Sequence, residues 1–278
     1  MAIDLATKYL PYVDELFAKE SKKELLTNQD FAWDGAHTVK VYRITTSDMT
    51  DYNRSGADNG HWSRYGEVKG LDATTQAMTL RNDRSFTFAI DKLDTNETVQ
   101  QLQASTALAR QLREVVVPEV DSWVYGQMCE NAGTVAAPTV LTAANILDAI
   151  MTGNLALDDA FVPETGRVLV VTPAVYLLMK KSKDITMETD IAQDMRLRGV
   201  VAMIDGAQVI KVPANRLPDG FGFLLVHKVA TVAPVKLADF KIHEDPPGIS
   251  GALVEGRINY DAFVLDNKAK ALYYHPQA

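Results

Sequence analysis

The residues able to carry chemistry are few and scattered. Five histidines, His37, His61, His227, His243 and His275, stand far from one another and from the single cysteine, Cys129. A metal site needs ligands at short, repeated spacings, and no such spacing is written here. Cys129 falls in a stretch of helical periodicity with no histidine near it in sequence, so it reads as a small core residue rather than a nucleophile. A phosphate loop would place Gly-Lys-Ser or Gly-Lys-Thr after a glycine run, and none is present. Gly248, Gly251 and Gly256 cluster, but no helical pattern follows them, which argues against a dinucleotide site. The neighbours Asp158 and Asp159 are of the right type for acid–base work, yet adjacent acids in a loop are ordinarily solvated. No serine occupies a nucleophile elbow. These patterns point away from an enzyme, and no cofactor or metal is expected.

A different chemistry is concentrated between Ser47 and Leu71. Asp51, Asn53, Ser55, Gly56, Asp58, Asn59, Gly60, Gly66 and Gly70 suit turns, yet Tyr52, Trp62 and Tyr65 stand among them beside Arg54 and Arg64. Compact domains rarely hold irregular loops this long without a reason, and aromatic and arginine side chains dominate binding interfaces. The loop lies between two strand patterns. Thr38 to Thr45 is rich in β-branched and aromatic residues, and Phe86, Phe88 and Ile90 alternate with Ser85, Thr87 and Ala89. The expectation is a long insertion between paired strands whose tip contacts another molecule. At the N-terminus, Ala2 to Leu26 is charged and amphipathic, with Leu5, Tyr9, Tyr12, Val13, Leu16 and Phe17 near one face and Pro11 interrupting. It is too short to form a core. It either docks on its own domain or lies across a neighbouring subunit as an arm.

Positioning falls to a long helical pattern from Asp94 to Asn131. Val99, Leu102, Ala109, Leu112, Val116, Val120, Trp123, Val124 and Met128 follow steps of three and four. Asp94 with Glu97 resembles a capping box, and Gly133 stands where a left-handed terminator is expected. At 1.5 Å per residue the helix would reach roughly 55 Å, the length of a spine shared by several substructures. Pro118 interrupts the pattern, giving either one bent helix or two helices meeting at the proline.

Beyond it, Thr142 is read as the cap of a short helix carrying Ile146, Leu147, Ile150 and Met151. Arg167 to Val171 reads as a buried strand, and Thr172-Pro173 as the start of a helix. Lys180 to Met195 reads as a polar surface excursion. Val200 to Val212 reads as a hairpin turning at Asp205-Gly206, and Phe221 to Val226 as a strand. Leu141 to Val235 is thus expected to be a compact mixed α/β unit. Lys241 to Glu244, Leu253 to Leu265 and Ala271 to His275 read as strands, with turns at Asp245 to Gly248 and at Asp266-Asn267. They have little core of their own, and the first and last parts of the chain are expected to share one discontinuous domain.

The chain has 278 residues, 47% hydrophobic and 23% charged, the composition of a globular protein with a sizeable core. A net charge of −8 argues against a protein whose task is to grip nucleic acid, which needs clustered lysine and arginine. No basic region followed by an apolar run opens the chain, and no window approaches twenty apolar residues, so neither a signal peptide nor a membrane span is expected.

The order of these parts resembles the major capsid protein of tailed bacteriophages, the α+β Hong Kong 97-type capsid fold. Asp83 to Leu102, DRSFTFAIDKLDTNETVQQL, resembles its junction of strand and spine helix. Ala109 to Met128, ARQLREVVVPEVDSWVYGQM, is similar to the rest of the spine in capsid proteins of phages and prophages of Gram-positive bacteria. Arg167 to Met179, RVLVVTPAVYLLM, resembles the axial-domain strand and helix, and Gly256 to His275, GRINYDAFVLDNKAKALYYH, the closing peripheral strands. The resemblance implies an N-terminal arm over 1–36, an extended loop with its strands over 37–92 and a spine helix over 93–135. An axial domain over 136–236 and peripheral-domain strands over 237–278 would follow. It implies homo-pentamers and homo-hexamers closing into an icosahedral shell around double-stranded DNA, assembled in the bacterial host cytoplasm and found in the virion. The DNA is expected near the shell without specific binding. Intersubunit contacts would come from Tyr52, Arg54, Trp62, Arg64 and Tyr65 in the loop and from Tyr9, Tyr12, Leu16 and Phe17 in the arm. The cleavable leader of some relatives is not seen before the arm, so a separate scaffolding protein is expected, together with a portal. Lys69 and Asn267 are the counterparts of the namesake's cross-linking pair, a chemistry that most relatives lack. An encapsulin-like nanocompartment shell, which shares the fold, and a cytosolic enzyme are the rival readings.

Overall fold

A computed structural model of the chain describes residues 21–28, 38–44, 46–55, 63–66, 68, 70, 73–97, 103–182 and 200–278. The chain divides into two compact units, residues 36–79 and residues 1–35 with 80–278.

The smaller unit is built on an antiparallel ribbon. Strand β1 (Thr38–Ile44) pairs with β2 (Ala73–Thr79) from Thr38↔Thr79 to Ile44↔Ala73. The partner of β1 is therefore not the Arg84–Ile90 strand. Strand β2 escapes a reading by alternation because ATTQAMT offers only one large apolar residue, and its state is set by its neighbour. A two-stranded ribbon has no interior of its own.

The larger unit begins with β3 (Asn82–Asp91), whose Phe86, Phe88 and Ile90 share the more buried face, as the alternation predicts. Helix α1 (Lys92–Glu97) follows at once. Its cap is Asp91, whose Oδ1 accepts the Leu93 N–H at 2.8 Å, and not the box expected at Asp94. Helix α2 (Ala104–Gln111) starts after Gln103, which is extended at φ −90°, ψ 142°. One rod from Asp94 to Asn131 is thus ruled out by Gln103; Val99 and Leu102 lie outside the described residues. From Ala104 the helix is unbroken through a π-helical turn at Leu112–Val116 and α3 (Val117–Glu130). Pro118 has no N–H to give the preceding turn, and its ring crowds the carbonyl four residues back. The wide turn before it, in which the Val117 N–H reaches the Leu112 carbonyl, accommodates both. The proline therefore modifies the helix without dividing it. The wide turn also shifts the phase of the stripe. Ala109 is exposed, whereas Leu112, Val116, Val120, Trp123, Val124 and Met128 are half-buried or buried.

The helix ends with Asn131, whose Nδ2 donates to the Gln127 carbonyl at 2.9 Å. Gly133 serves a different end from the left-handed terminator expected of it. Its N–H donates to the Ala269 carbonyl at 2.9 Å, and a β-carbon there would lie 2.4 Å from that carbonyl carbon. After β4 (Thr134–Val135) comes α4 (Ile146–Asp159), longer than the short helix expected. Asn145 flanks its start and accepts the Thr142 N–H at 2.7 Å, so Thr142 is not the side-chain cap. Strand β5 (Arg167–Val171) is wholly buried, and Thr172 caps α5 (Pro173–Lys181) by accepting the Val175 N–H at 3.2 Å, as expected. Of the Lys180–Met195 excursion, residues 183–195 lie outside the described residues. Strands β6 (Val200–Ile204) and β7 (Ala207–Lys211) meet at Asp205-Gly206, both left-handed with φ 47° and 73°, the type I′ geometry that Asp-Gly favours. Strands β8 (Phe221–His227), β9 (Thr231–Val232), β10 (Val235–Glu244), β11 (Gly251–Tyr260), β12 (Phe263–Val264) and β13 (Leu272–Pro276) complete the chain.

Among the described residues, the main sheet runs β4-β13-β8-β5-β7-β6. Its two faces are read directly from alternate residues. Val168, Val170, Leu224, Val226 and Leu272 pack with Val120, Val124 and Met128 of α3. Leu169, Val171, Phe223, Leu225 and Tyr273 pack with Ile146, Ile150 and Leu157 of α4 and Val175 and Met179 of α5. The result is helix, sheet and helix in three layers. A second sheet runs β10-β11-β3, which explains why β3 and the C-terminal strands need one another. Gly256 lies at its centre opposite both Phe86 and Phe240, whose rings stack at 6.1 Å across it; a β-carbon would meet the Phe86 ring at 2.4 Å. Not every strand within 237–278 joins this sheet. Strand β13 leaves the second sheet and pairs antiparallel with β8, because Leu272 and Tyr273 have an apolar face to bury on each side of the main sheet.

Candidate assembly surfaces

The loop joining β1 and β2 carries the residues that the sequence singles out. The Thr50 hydroxyl donates to the Tyr65 carbonyl at 2.6 Å, and the Asn53 N–H donates to the Arg64 carbonyl at 3.0 Å, which draws the two sides of the loop together. Tyr52 and Tyr65 then meet edge to face, with ring centroids 4.9 Å apart. Both rings nevertheless stay open to solvent, Tyr65 at 76%, and Arg54 and Arg64 are exposed beside them. The structure thus brings Tyr52, Arg64 and Tyr65 together, with Arg54 on the same short stretch. Trp62, Tyr9, Tyr12, Leu16 and Phe17 lie outside the described residues. Four further residues passed over in the sequence join the exposed set: Tyr42 and Ile44 on β1, and Met49, which is 100% exposed, and Val68 in the loop. Alternation along β1 signals the first two, since Thr38, Lys40, Tyr42 and Ile44 share one side. An apolar surface of this kind on a ribbon without a core is suited to being covered by another molecule.

The larger unit holds its pieces together with buried polar groups that sequence spacing hides. Asp261, 1% exposed, interrupts the run from β11 to β12. Its Oδ2 accepts the Arg81 N–H at 3.0 Å and the Arg81 Nε at 3.2 Å, and its Oδ1 accepts the Trp123 indole N–H at 2.8 Å and the Ala262 N–H at 2.9 Å. One carboxylate thereby ties the chain entering β3, the α3 helix and the C-terminal strands. Asp121, on α3 itself, does similar work. It meets Arg216 at 2.9 Å, with both side chains buried, and accepts the Ser21 hydroxyl at 2.6 Å. Burial raises the Asp121 carboxyl above its usual range, against the pull of Ser21, Arg216 and Lys23. Beside it, Leu26 is fully buried and the Asn28 N–H donates to the Thr231 carbonyl at 2.7 Å, so residues 21–28 dock on their own chain.

Among the described residues, Cys129, Asp158, His227 and His275 are occupied in structural contacts. Cys129 is buried, and burial pushes its thiol up to about 12, far from thiolate chemistry. Asp158 pairs with the buried Arg167, which also reaches the Val162 and Pro163 carbonyls. His227 lies against the Thr165 carbonyl at 3.1 Å, and His275 stacks on Phe223 and meets the Thr139 hydroxyl at 3.1 Å. Burial lowers both imidazoles. Among the described residues no group of three or more potential metal ligands comes together, and no helix is long and apolar enough to cross a membrane.

Comparison with known proteins decides the fold. A structure from Mycobacterium phage Che8 superimposes with a TM-score of 0.75 at 17% identity, covering 99% of this chain and 98% of that one. The mature capsid of bacteriophage PhiM1 gives 0.75 at 13% identity over 99% and 93%, and the capsid of Cyanophage P-SCSP1u gives 0.72 at 14% over 99% and 93%. This is the phage capsid fold. No family model matches the sequence, and no curated protein aligns with it. The likeness is thus carried by structure along the full chain, at a level of identity where only packing and topology persist.

Proposed function

We propose that this chain is the major capsid protein of a tailed phage, assembling with copies of itself into pentamers and hexamers of an icosahedral shell around double-stranded DNA. The observation that carries the reading is the end-to-end match to phage capsid structures, over 99% of this chain and 93–98% of theirs. The ribbon supports it, since Tyr42, Ile44, Met49, Tyr52 and Tyr65 stay open to solvent. On this reading, residues 36–79 form the extended loop that lies over an adjacent subunit, with Tyr52, Arg54, Trp62, Arg64 and Tyr65 as contacts. Tyr9, Tyr12, Leu16 and Phe17 would extend the arm onto a neighbour, beyond the docked residues 21–28. Helices α2 and α3 act as the spine, the β10-β11-β3 sheet belongs to the peripheral domain, and the α4, α5 and main-sheet layer to the axial domain. A separate scaffolding protein and a portal are the expected partners during assembly in the host cytoplasm. The net charge of −8 suits a wall that lies near DNA without holding it.

Shell strength in such an assembly comes from many modest contacts acting together. Replacing Trp62 or Tyr65 with alanine should therefore stop particle formation and leave the subunit folded. Size-exclusion chromatography with negative-stain microscopy reads both. Normal shells from both variants would remove the loop from the interface. Particles holding protein cargo rather than DNA would favour the nanocompartment reading instead.

A further inference from the structure

The end of α4 contains a residue that its own subunit gives no reason to keep. The helix closes with the Phe161 N–H donating to the Asp158 carbonyl at 2.8 Å and the Val162 N–H donating to the Leu157 carbonyl at 3.0 Å. That closing pattern requires a left-handed residue, and glycine is its usual occupant because a β-carbon is crowded there. Here the position is Phe161, at φ 56°. Its ring is 95% exposed, so folding returns nothing for the strain. A bulky side chain held in this conformation while 95% exposed points to an external partner.

The surroundings of the ring define the partner's chemistry. Phe161 borders a notch of about 240 Å³ whose apolar walls include Val162, Val229 and Ala271 and whose rim carries Lys268 and Lys270. Among the described residues no carboxylate lines it. Lys228 and Lys268 both act electrostatically on His227 at the same notch, while of the two acids that end α4, Asp158 is engaged by Arg167 and Asp159 is exposed beside the lining. In a chain of net charge −8 this is a locally basic, apolar recess. It calls for an apolar side chain flanked by acids. The loop between β1 and β2 presents one: Met49, 100% exposed, with Asp48 and Asp51 exposed on either side of it. The loop is fixed at this point by the Thr50–Tyr65 hydrogen bond. A thioether is also well matched to an aromatic ring.

We propose that the Phe161 notch of one copy receives Met49 of another, with Lys268 and Lys270 pairing with Asp48 and Asp51. The contact is heterologous, head to tail, the type that builds rings when its rotation closes. It rests on the shell reading and names the surface on which the loop lands.

The test uses the full chain under conditions in which the wild type assembles. Phe161→Gly removes the strain, so the subunit should melt at the same or a higher temperature while particle yield falls tenfold or more. A merely structural Phe161 would give the opposite pair of results. The charge reversal D48K/D51K should abolish particles, and adding K268E/K270E should restore them. Normal assembly of both the Phe161→Gly and the D48K/D51K chains overturns the notch and leaves the shell reading intact. Loss of assembly in each charge variant without rescue in the combination overturns Met49 as the occupant. A wild-type chain that never associates, even with its companion assembly proteins, overturns the shell reading and this contact together.

Discussion

Replacing Asp261 with alanine should be among the most damaging single changes in the larger unit. The carboxylate accepts four hydrogen bonds, from the Arg81 N–H, Arg81 Nε, the Trp123 indole and the Ala262 N–H. Arg81 is 59% exposed along its side chain and can turn to water, so its guanidinium contributes little to the loss. The other three donors face a carboxylate that is fully buried, and each would be left without an acceptor. At about 1–1.5 kcal/mol per orphaned donor, the expected destabilisation is about 3–4 kcal/mol. For a unit of this size that is a fall in melting temperature of roughly 10 °C. The assay is thermal and urea unfolding of unassembled subunits followed by tryptophan fluorescence. Asp261→Asn, which keeps one acceptor oxygen for the indole, should cost roughly half as much. Trp123→Phe removes only one donor, and in combination with Asp261→Asn it should cost less than the sum of the two, because they share a bond. A loss below about 1 kcal/mol for Asp261→Ala would refute the role given to this carboxylate.

Three further outcomes follow from the same packing. Removing Arg216 with Arg216→Met leaves the buried Asp121 charge without its guanidinium, with only Ser21 and Lys23 to offset it, and should cost about 3–5 kcal/mol, whereas Asp121→Leu with Arg216→Met should recover most of it; equal losses in the single and double variants would contradict the pairing. Gly256→Ala forces a β-carbon against the Phe86 ring and should cost about 1–3 kcal/mol by urea unfolding, and Phe86→Leu in the same chain should relieve part of it. His227 and His275 titrate below the ordinary 6.5 in the folded chain because burial disfavours the imidazolium. The unfolded chain therefore takes up protons first, and stability should fall as pH drops below about 6.5. Asparagine at both positions should flatten that slope in melting temperature measured from pH 7.5 to 5; an unchanged slope would assign it to other groups.

What the sequence reveals and conceals divides along physical lines. Local chemistry is legible. Thr172-Pro173 starts a helix because a hydroxyl and a fixed φ suit its first turn, and Asp205-Gly206 turns a hairpin because both residues tolerate left-handed backbone. The alternation of Phe86, Phe88 and Ile90 is legible for the same reason. Partnership across the chain is not. Strand β2 has no pattern of its own and exists because β1 lies beside it. Asp121 and Arg216 are 95 residues apart, and each alone reads as an ordinary surface charge. Asp261 reads as one more residue of a single strand from Leu253 to Leu265, which its buried carboxylate and the four donors around it in fact interrupt. Gln103 looks like any polar residue of a helix, and its extended backbone carries no compositional signal. In the candidate assembly surface, Tyr52 and Tyr65 stand out as aromatics among turn residues, while Tyr42, Ile44 and Met49 are inconspicuous in a strand and a loop until their exposure is seen.

Electron cryomicroscopy of the particles formed when the chain is expressed with its companion assembly proteins tests the central claim most directly. The account predicts a closed icosahedral shell built from this chain, with rings at the five-fold and six-fold centres and the 36–79 loop resting on a neighbouring subunit. A chain that stays a discrete monomer under those conditions, with its loop free and no ring or shell in the field, would contradict it.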